Sequence, residues 1–207
     1  MARYRFEHWA HQDVQQHREG NMLNQRGFSL TEVLIAMAIS SILLLSTARF
    51  LPGLQRAMLM QGQQQRLEEE VWLRVNALGK QLQRAGFCSG LCQGLALTIG
   101  RQGSCVIVQW DANSNGRWET TPSSEAEQTG FRLEGGALET QRGATSCEGK
   151  GWEKLTEPES LWVTRFSVSK TEHPGFSPEL DIELAAATPG RLNEPFQATW
   201  RVTGFNL

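Results

Sequence analysis

Histidine is scarce in this sequence, and its distribution excludes several kinds of active site. Of the four histidines, His8, His11 and His17 stand within the first 17 residues, and the rest of the chain has only His173. The sequence beyond residue 17 therefore has too few histidines to favour a catalytic triad, a histidine general base or a histidine-rich metal site. Neither a nucleophile–base pair nor a phosphate-binding loop is present. An enzyme is accordingly the least favoured class of function.

An excess of charge of one sign is also lacking. The formal net charge is −2, from 20 basic and 22 acidic residues in a chain of 207. A protein that binds nucleic acid over a broad surface needs clustered basic residues. Arg132, Arg142, Lys150 and Lys154 are instead spread among acidic residues. We therefore expect no nucleic-acid partner.

One long apolar run is the main feature that the sequence does have. Residues 27–51 read GFSLTEVLIAMAISSILLLSTARFL, and Phe28 to Ala48 contains a single charged residue, Glu32. About 20 apolar residues in a helix span the ~30 Å core of a bilayer. A carboxylate in such a segment costs roughly 2.5–3.5 kcal/mol to insert. Glu32 thus either lies close enough to the headgroups to stay hydrated, or pairs with a cation and serves a function. The position of Glu32 in the run does not decide between these two interpretations.

The residues around Glu32 resemble a processing signal. Arg26 to Ala36, RGFSLTEVLIA, resembles the class III signal of type IV prepilins and type II secretion pseudopilins. The resemblance implies that prepilin peptidase cuts between Gly27 and Phe28, and that Phe28 is then N-methylated. It also implies that Glu32 helps subunits enter the growing fibre by facing an N-terminal ammonium. Such an ion pair is far stronger in a low dielectric than in water.

Residues 1–27 are the expected leader, which is removed. Met1 to Arg26 is polar and has no hydrophobic periodicity, so it is excluded from the fold. A start at Met22 would give the short leader MLNQRG, which is typical of prepilins, and a longer leader is the alternative. Arg26 lies on the cytoplasmic side by the positive-inside rule. We therefore expect a single-pass protein of the inner membrane with its C-terminal head in the periplasm.

Two consecutive helical segments follow the leader. Residues 28–51 form the transmembrane and assembly helix, and residues 52–86 form its amphipathic continuation. Pro52-Gly53 is expected to kink or locally melt the helix, and Gly86 is expected to end it. Beyond the proline, apolar residues recur at steps of three and four and predict one buried face. These residues are Leu67, Val71, Val75 (or Arg74), Leu78 and Leu82.

From residue 87 to residue 207 the pattern changes to short strands separated by turns. Strands are predicted at 95–99, 105–110, 131–134, 137–141, 161–168, 180–184 and 196–202. Gly135-Gly136 predicts a tight hairpin, and loops are predicted at 122–128 and 172–177. Roughly 150 residues lie beyond the membrane segment, which is enough for one domain with a core. The predicted fold class is α+β, an antiparallel sheet packed on the second half of a long helix.

The four cysteines, Cys88, Cys92, Cys105 and Cys147, all follow the membrane segment. An even number in a domain outside the cytoplasm suggests two disulfides, for which three pairings exist. We favour Cys88 with Cys92 and Cys105 with Cys147, mainly because the first pair is so close in sequence. A zinc site is a weak alternative, since the CxxxC motif lacks a second cluster and nearby histidines.

One segment is similar to the front of a calcium-binding loop. Oxygen-bearing side chains stand at positions one, three, five and nine, with glycine at six; the candidate ligands are Asp111, Asn113, Asn115 and Glu119. The twelfth position, where a bidentate glutamate belongs, is Pro122, so Glu119 or Glu125 would have to supply the missing charge. The favoured alternative is a tight turn at Asn115-Gly116. No other cofactor is expected.

Stretches over nearly the whole mature chain resemble the prepilin peptidase-dependent protein B family, the J-type minor pilins. They are WLR at 72–74, QRAGFC at 83–88, CVIVQWDANSNG at 105–116, RGATSCEGKGW at 142–152 and VTGFNL at 202–207. The resemblance implies the pilin-like fold and a minor subunit that primes assembly at the tip of a type IV pilus. Its partners would be prepilin peptidase and other minor and major pilins. The alternatives are a minor pseudopilin of a type II secretion system and a tip module that binds DNA or a surface.

Overall fold

A single long helix is the first element of the described residues. The computed structural model describes residues 27–120 and 124–207, so the predicted leader before Gly27 lies outside the described residues. Helix α1 runs from Leu30 to Arg84 and includes Pro52. Of the two effects expected of Pro52, a kink or local melting, melting does not occur, because the assigned helix continues on both sides of the proline. Contacts divide the chain into one unit that ends at Gly53 and another that begins at Leu54.

The predicted end of α1 at Gly86 has a clear geometric cause. Gly86 has a φ of 85°, a left-handed conformation that glycine adopts without a steric penalty. Its N–H donates to the carbonyl oxygen of Gln109 at 2.9 Å. A Cβ atom added here would overlap the carbonyl oxygen of Asn206. The chain therefore leaves the helix here and turns toward the sheet.

Among the described residues that follow, eight strands form two antiparallel sheets, where the sequence predicts one. The first sheet has the order β1-β2-β3-β4-β5 and the second the order β6-β7-β8. The strands are β1 (Leu97–Gly100), β2 (Cys105–Gln109), β3 (Gln128–Glu134), β4 (Ala137–Arg142), β5 (Glu153–Lys154), β6 (Trp162–His173), β7 (Phe176–Ala187) and β8 (Phe196–Thr203). A 3₁₀ turn, Arg101–Gly103, separates β1 from β2.

The hairpin predicted at Gly135-Gly136 joins β3 to β4, with Glu134 paired to Ala137. The loop predicted at 172–177 is mostly wrong. Strand β6 extends to His173 and β7 begins at Phe176, and these two residues pair across the turn. This end of the hairpin is exposed on both faces, so it lacks the apolar alternation on which the strand prediction depended.

The buried stripe of α1 packs on both sheets. Leu67, Val71, Val75, Leu78 and Leu82 are all buried, as the sequence predicts. The same core contains apolar residues of β2, β3, β4, β6, β7 and β8, including Val106, Phe131, Leu138, Phe166, Ile182 and Val202. Each fully buried leucine, isoleucine or phenylalanine contributes about 1.5–3 kcal/mol of hydrophobic stabilisation. The fold class is therefore α+β, with a long N-terminal helix packed on antiparallel sheets.

Candidate functional site

The peptide bond between Gly27 and Phe28 is accessible. Residues 27–29 are not helical, and α1 begins at Leu30. The Phe28 side chain is 87% exposed, and no atom lies within 4 Å of the position that a Cβ atom of Gly27 would take. A protease can therefore approach this bond without first unwinding the helix.

Glu32 lies in the first turn of α1 and caps it. Its Oε2 accepts a hydrogen bond from the main-chain N–H of Ser29 at 3.0 Å. The carbonyl oxygen of Ser29 in turn accepts from the N–H groups of Glu32 and Val33, at 3.0 and 3.2 Å. This is half of a capping box, with Ser29 at the N-cap position and Glu32 three residues later. The Glu32 carboxylate is thus bound to the N–H of Ser29, the residue that directly follows Phe28. A cut after Gly27 would convert the Phe28 nitrogen into an ammonium.

The first half of α1 is apolar, and none of the described residues covers it. The helix contains an 18-residue window of mean hydropathy 2.0, none of it buried, which is long and apolar enough to span a membrane. Four hydroxyl side chains stand between Ala36 and Ala48. Three of them donate to the carbonyl oxygen four residues earlier: Ser41 to Met37, Ser46 to Ile42 and Thr47 to Leu43, at 2.7–2.8 Å. These three hydroxyl groups are thereby satisfied within the helix, which suits an apolar environment.

Two disulfides cross-link the head. Cys88 is bonded to Cys92 across four positions and Cys105 to Cys147 across 42 positions, which are the pairs that the sequence favours. The carboxylate of Asp111 lies within 4.8 Å of the sulfur atoms of Cys88 and Cys92. Because these two sulfurs are bonded to each other, neither is a thiolate that could bind zinc.

Asp111 holds the disulfide loop against the segment that resembles a calcium loop. Its carboxylate accepts hydrogen bonds from the Ser89 hydroxyl at 2.7 Å and from three main-chain N–H groups, those of Ser89, Asn115 and Gly116, at 2.9–3.0 Å. Burial acts to raise the pKa of Asp111, but these hydrogen bonds outweigh it and lower the pKa to about 2. Both carboxylate oxygens are therefore occupied by donors of the protein.

The other candidate calcium ligands have donors of their own. The side-chain oxygens of Asn113 and Asn115 accept N–H bonds from Asn115 and Arg117, at 2.9 Å each. The amide groups of Asn115 and Asn113 donate to Glu119 at 2.6 and 3.5 Å. The hydrogen bond from Asn115 is the main cause of a lowered pKa of Glu119. The structure thus brings the four predicted residues together as a hydrogen-bonded turn, and Pro122 lies outside the described residues.

Two polar clusters have no signal in the sequence. Glu127 is buried and accepts from the main-chain N–H groups of Ala112 and Asn113, at 2.7 and 3.2 Å. Arg101, in a left-handed conformation with a φ of 48°, bonds Glu134 and Glu148 at 2.7 Å each. Both clusters join residues far apart in sequence, so only the tertiary structure reveals them.

Two tryptophans that meet between α1 and β8 are partly exposed. Trp72 on α1 meets Trp200 on β8 edge to face, with ring centroids 6.2 Å apart, and both rings are more than a third exposed. The guanidinium of Arg132 lies 4.3 Å from the centroid of the Trp152 ring. Arg132 also pairs with Glu139 at 2.8 Å, so it is engaged within the protein and offers no free charge to a phosphate.

The fold and the processing segment define a pilin-like protein, and comparisons with known proteins agree. The family model described as Prokaryotic N-terminal methylation motif matches residues 22–48. The model described as Prepilin peptidase-dependent protein B matches residues 60–204. The chain belongs to the prepilin peptidase-dependent protein B family.

A curated relative covers most of the chain. Prepilin peptidase-dependent protein B of Escherichia coli (strain K12) is 54% identical over 185 residues, which is 89% of this chain and 99% of the relative. No solved structure matches the chain. Dependence on prepilin peptidase implies processing by that enzyme and partners of the pilin type.

Proposed function

We propose that this chain is a minor pilin that primes the assembly of a type IV pilus and is placed at its tip. The observation that carries the proposal is the arrangement around Gly27. An accessible peptide bond stands directly before an apolar helix, and Glu32 lies in the first turn of that helix. The same chain carries a head of the prepilin peptidase-dependent protein B family.

The proposed sequence of events begins in the inner membrane. The first half of α1 crosses the bilayer once, with the head in the periplasm. Prepilin peptidase cuts after Gly27, and Phe28 becomes an N-methylated ammonium. This cation and the carboxylate of Glu32 attract each other strongly where water is excluded. The apolar surface of α1 then passes from lipid to the helices of other minor and major pilins.

The decisive experiment on processing is the intact mass of the protein from inner membranes, with and without prepilin peptidase. We expect a peptidase-dependent mass that begins at methyl-Phe28, and after alkylation the same spectrum counts the disulfides. The uncut mass also reports whether translation starts at Met1 or Met22. An uncut and unmethylated protein in the presence of the peptidase would contradict the proposal.

The position at the tip and the priming role need a separate test. Sheared fibres should contain this chain in far smaller amounts than the major pilin. Deleting the chain should reduce the number of fibres while leaving their subunit composition otherwise unchanged. Normal fibre numbers together with a loss of protein secretion would instead assign the chain to a type II secretion system.

A further inference from the structure

The two disulfides of the head lie in different surroundings. Cys88 and Cys92 are both half-buried, and the three residues between them are exposed. Cys105 has none of its surface exposed, and its partner Cys147 is half-buried. A thiolate opens a disulfide by attacking one of its two sulfur atoms, so access to the sulfurs limits the rate. The Cys88–Cys92 disulfide is therefore the more accessible of the two.

The main chain of the loop closed by Cys88 and Cys92 would stabilise a thiolate at Cys88. The N–H groups of Gly90 and Cys92 both donate to the Sγ atom of Cys88, at 3.3 and 3.1 Å. Hydrogen bonds to a charged group favour the charged form, and a sulfur that is more stable as a thiolate leaves a disulfide faster. The hydrogen bonds of the described residues include none to the Sγ atom of Cys92. Cys88 is thus the better leaving group, and Cys92 is the sulfur to be attacked.

The Cys105–Cys147 disulfide has a less favourable arrangement. Its reachable sulfur belongs to Cys147, so an attacking thiolate would have to expel Cys105. Cys105 begins β2, all five residues of which are buried, and a thiolate is disfavoured in apolar surroundings. The main chain also crowds the other sulfur, since a Cβ atom added at Gly100 would lie 2.9 Å from the Sγ atom of Cys147. We therefore expect this disulfide to resist exchange.

Asp111 opposes exchange at the first disulfide but does not prevent it. Its carboxylate lies within 4.8 Å of the sulfur atoms of Cys88 and Cys92, and a negative charge at that distance disfavours a thiolate. Four donors of the protein bond this carboxylate and neutralise part of its charge, two of them from Ser89 within the loop. We therefore expect Asp111 to lower the rate of exchange without blocking it.

We propose that Cys88–Cys92 is a site of thiol–disulfide exchange, at which a protein dithiol of the thioredoxin type reduces the loop while Cys105–Cys147 stays oxidised. A thiolate of the dithiol attacks the Sγ atom of Cys92, the bond between the two sulfurs breaks, and Cys88 leaves as a thiolate. The second thiol of the partner then attacks the mixed disulfide and releases Cys92. The dithiol is oxidised to a disulfide, and two electrons and two protons pass to the loop. The exchange goes beyond the proposed function, since it needs only the folded head.

Opening this disulfide should change the loop and leave the core intact. Residues 88–92 belong to no helix or strand of the described chain, and none of them lies in the hydrophobic core. A cross-link across four positions also restricts the unfolded chain less than one across 42 positions does. We therefore expect the reduced protein to keep its folded head, with a loop that is fastened through Ser89 alone.

Reduced glutathione tests the direction of attack on the full chain, solubilised in detergent. Free thiols are blocked with iodoacetamide at successive times, and mass spectrometry of peptides locates each group. We expect glutathione on Cys92 and the alkyl group on Cys88, and an opening rate at least tenfold higher than that of Cys105–Cys147. Glutathione found mainly on Cys88, or equal rates for the two disulfides, would overturn the proposal.

Thioredoxin whose second active-site cysteine is replaced by alanine tests the class of partner, because it cannot resolve a mixed disulfide. We expect it to form a covalent adduct with the wild-type chain at Cys92. The double variant Cys88→Ser, Cys92→Ser is the matched control, since it keeps the Cys105–Cys147 disulfide and should give no adduct. No adduct with the wild-type chain, or an equal amount with the double variant, would refute the proposal.

Asp111→Asn tests the electrostatic control of the exchange. Removing the charge should raise the rate at which glutathione opens Cys88–Cys92 at least threefold. The opening of Cys105–Cys147 in the same sample is the internal control, because general unfolding would accelerate both reactions. A rise in both rates, or in neither, would contradict the effect proposed for the carboxylate.

Discussion

Glu32 and Asp111 are carboxylates that both accept main-chain N–H groups, but they lie in different surroundings. Glu32 is exposed in the apolar half of α1, and among the described residues one donor, the N–H of Ser29, lies within hydrogen-bond distance of its carboxylate. Asp111 is buried in the head, where four donors surround it. The Glu32 carboxylate therefore keeps acceptor capacity for a cation, whereas both oxygens of Asp111 already accept hydrogen bonds from the protein.

Replacing Glu32 by leucine should leave the protein in the membrane with a folded head, but reduce its recovery in sheared fibres several-fold. The reason is that the ammonium proposed at Phe28 would then have no carboxylate to face in a low dielectric. Glu32→Gln separates the two roles, because the amide oxygen can still accept the Ser29 N–H but carries no charge. Equal recovery of both variants and the wild type would show that the charge is dispensable.

The lowered pKa of Asp111 predicts a pH dependence of stability. Its pKa is about 2 in the fold against an ordinary value of 3.8. The ionised carboxylate therefore stabilises the fold above pH 3.8, and this contribution is lost as the pH falls toward 2. We expect Asp111→Asn to lower the melting temperature of the detergent-solubilised protein by several degrees at pH 7, and to make its fall in acid shallower. Glu153→Gln, an exposed carboxylate, should change neither; an unchanged acid profile in Asp111→Asn would contradict the assignment.

Among the elements, α1 ends at a residue that only glycine suits. Gly86→Ala should destabilise the head by at least about 1 kcal/mol. The left-handed φ is sterically unfavourable for alanine, and its Cβ atom would overlap Asn206. Gly62→Ala is the matched control within the same helix. No atom lies within 4 Å of its added Cβ, so it should gain roughly 0.5–1 kcal/mol. Denaturant unfolding measures the change in the free energy of unfolding of each variant. If both variants were stabilised, or both destabilised, the prediction would be wrong.

The loop from Asp111 to Glu119 should not need calcium. Its side-chain oxygens already accept N–H groups of the protein, and a cation would have to compete with them. We expect a calcium chelator to leave the melting temperature unchanged. A fall on chelation that calcium restores and magnesium does not would instead establish the site that the spacing suggests.

Sequence periodicity predicted those elements whose burial alternates regularly. The stripe from Leu67 to Leu82 and most of the strands belong to this group, since one face of each packs on the core. Periodicity missed the exposed end of the β6–β7 hairpin, the two-residue strand β5, and the division into two sheets. It also could not find Ser89 or Glu127 as partners of the Asp111 loop, because neither lies near that loop in sequence. A hydrogen bond between distant segments has no periodic signature.

In the whole molecule, the two disulfides should contribute unequally to stability. Cross-links stabilise mainly by restricting the unfolded chain, and more so when they close a longer loop. Removing Cys105–Cys147, which spans 42 positions, should cost about 4 kcal/mol, and removing Cys88–Cys92, which spans four, about 2 kcal/mol. Double serine variants compared by denaturant unfolding test this, and the reverse order would show that strain or residual structure dominates.

The hydroxyl groups within the first half of α1 bear on how a subunit could change its surroundings. Ser41, Ser46 and Thr47 all donate to carbonyl oxygens of their own helix. Moving this helix from lipid tails into a bundle of similar helices would therefore break none of these hydrogen bonds, nor any of those in the helix backbone. Lipid tails and a bundle of similar helices are both apolar environments that exclude water, so the helix keeps the same hydrogen bonds in each. If the helix moves in this way during assembly, the free energy that drives the transfer therefore comes from interactions other than these hydrogen bonds.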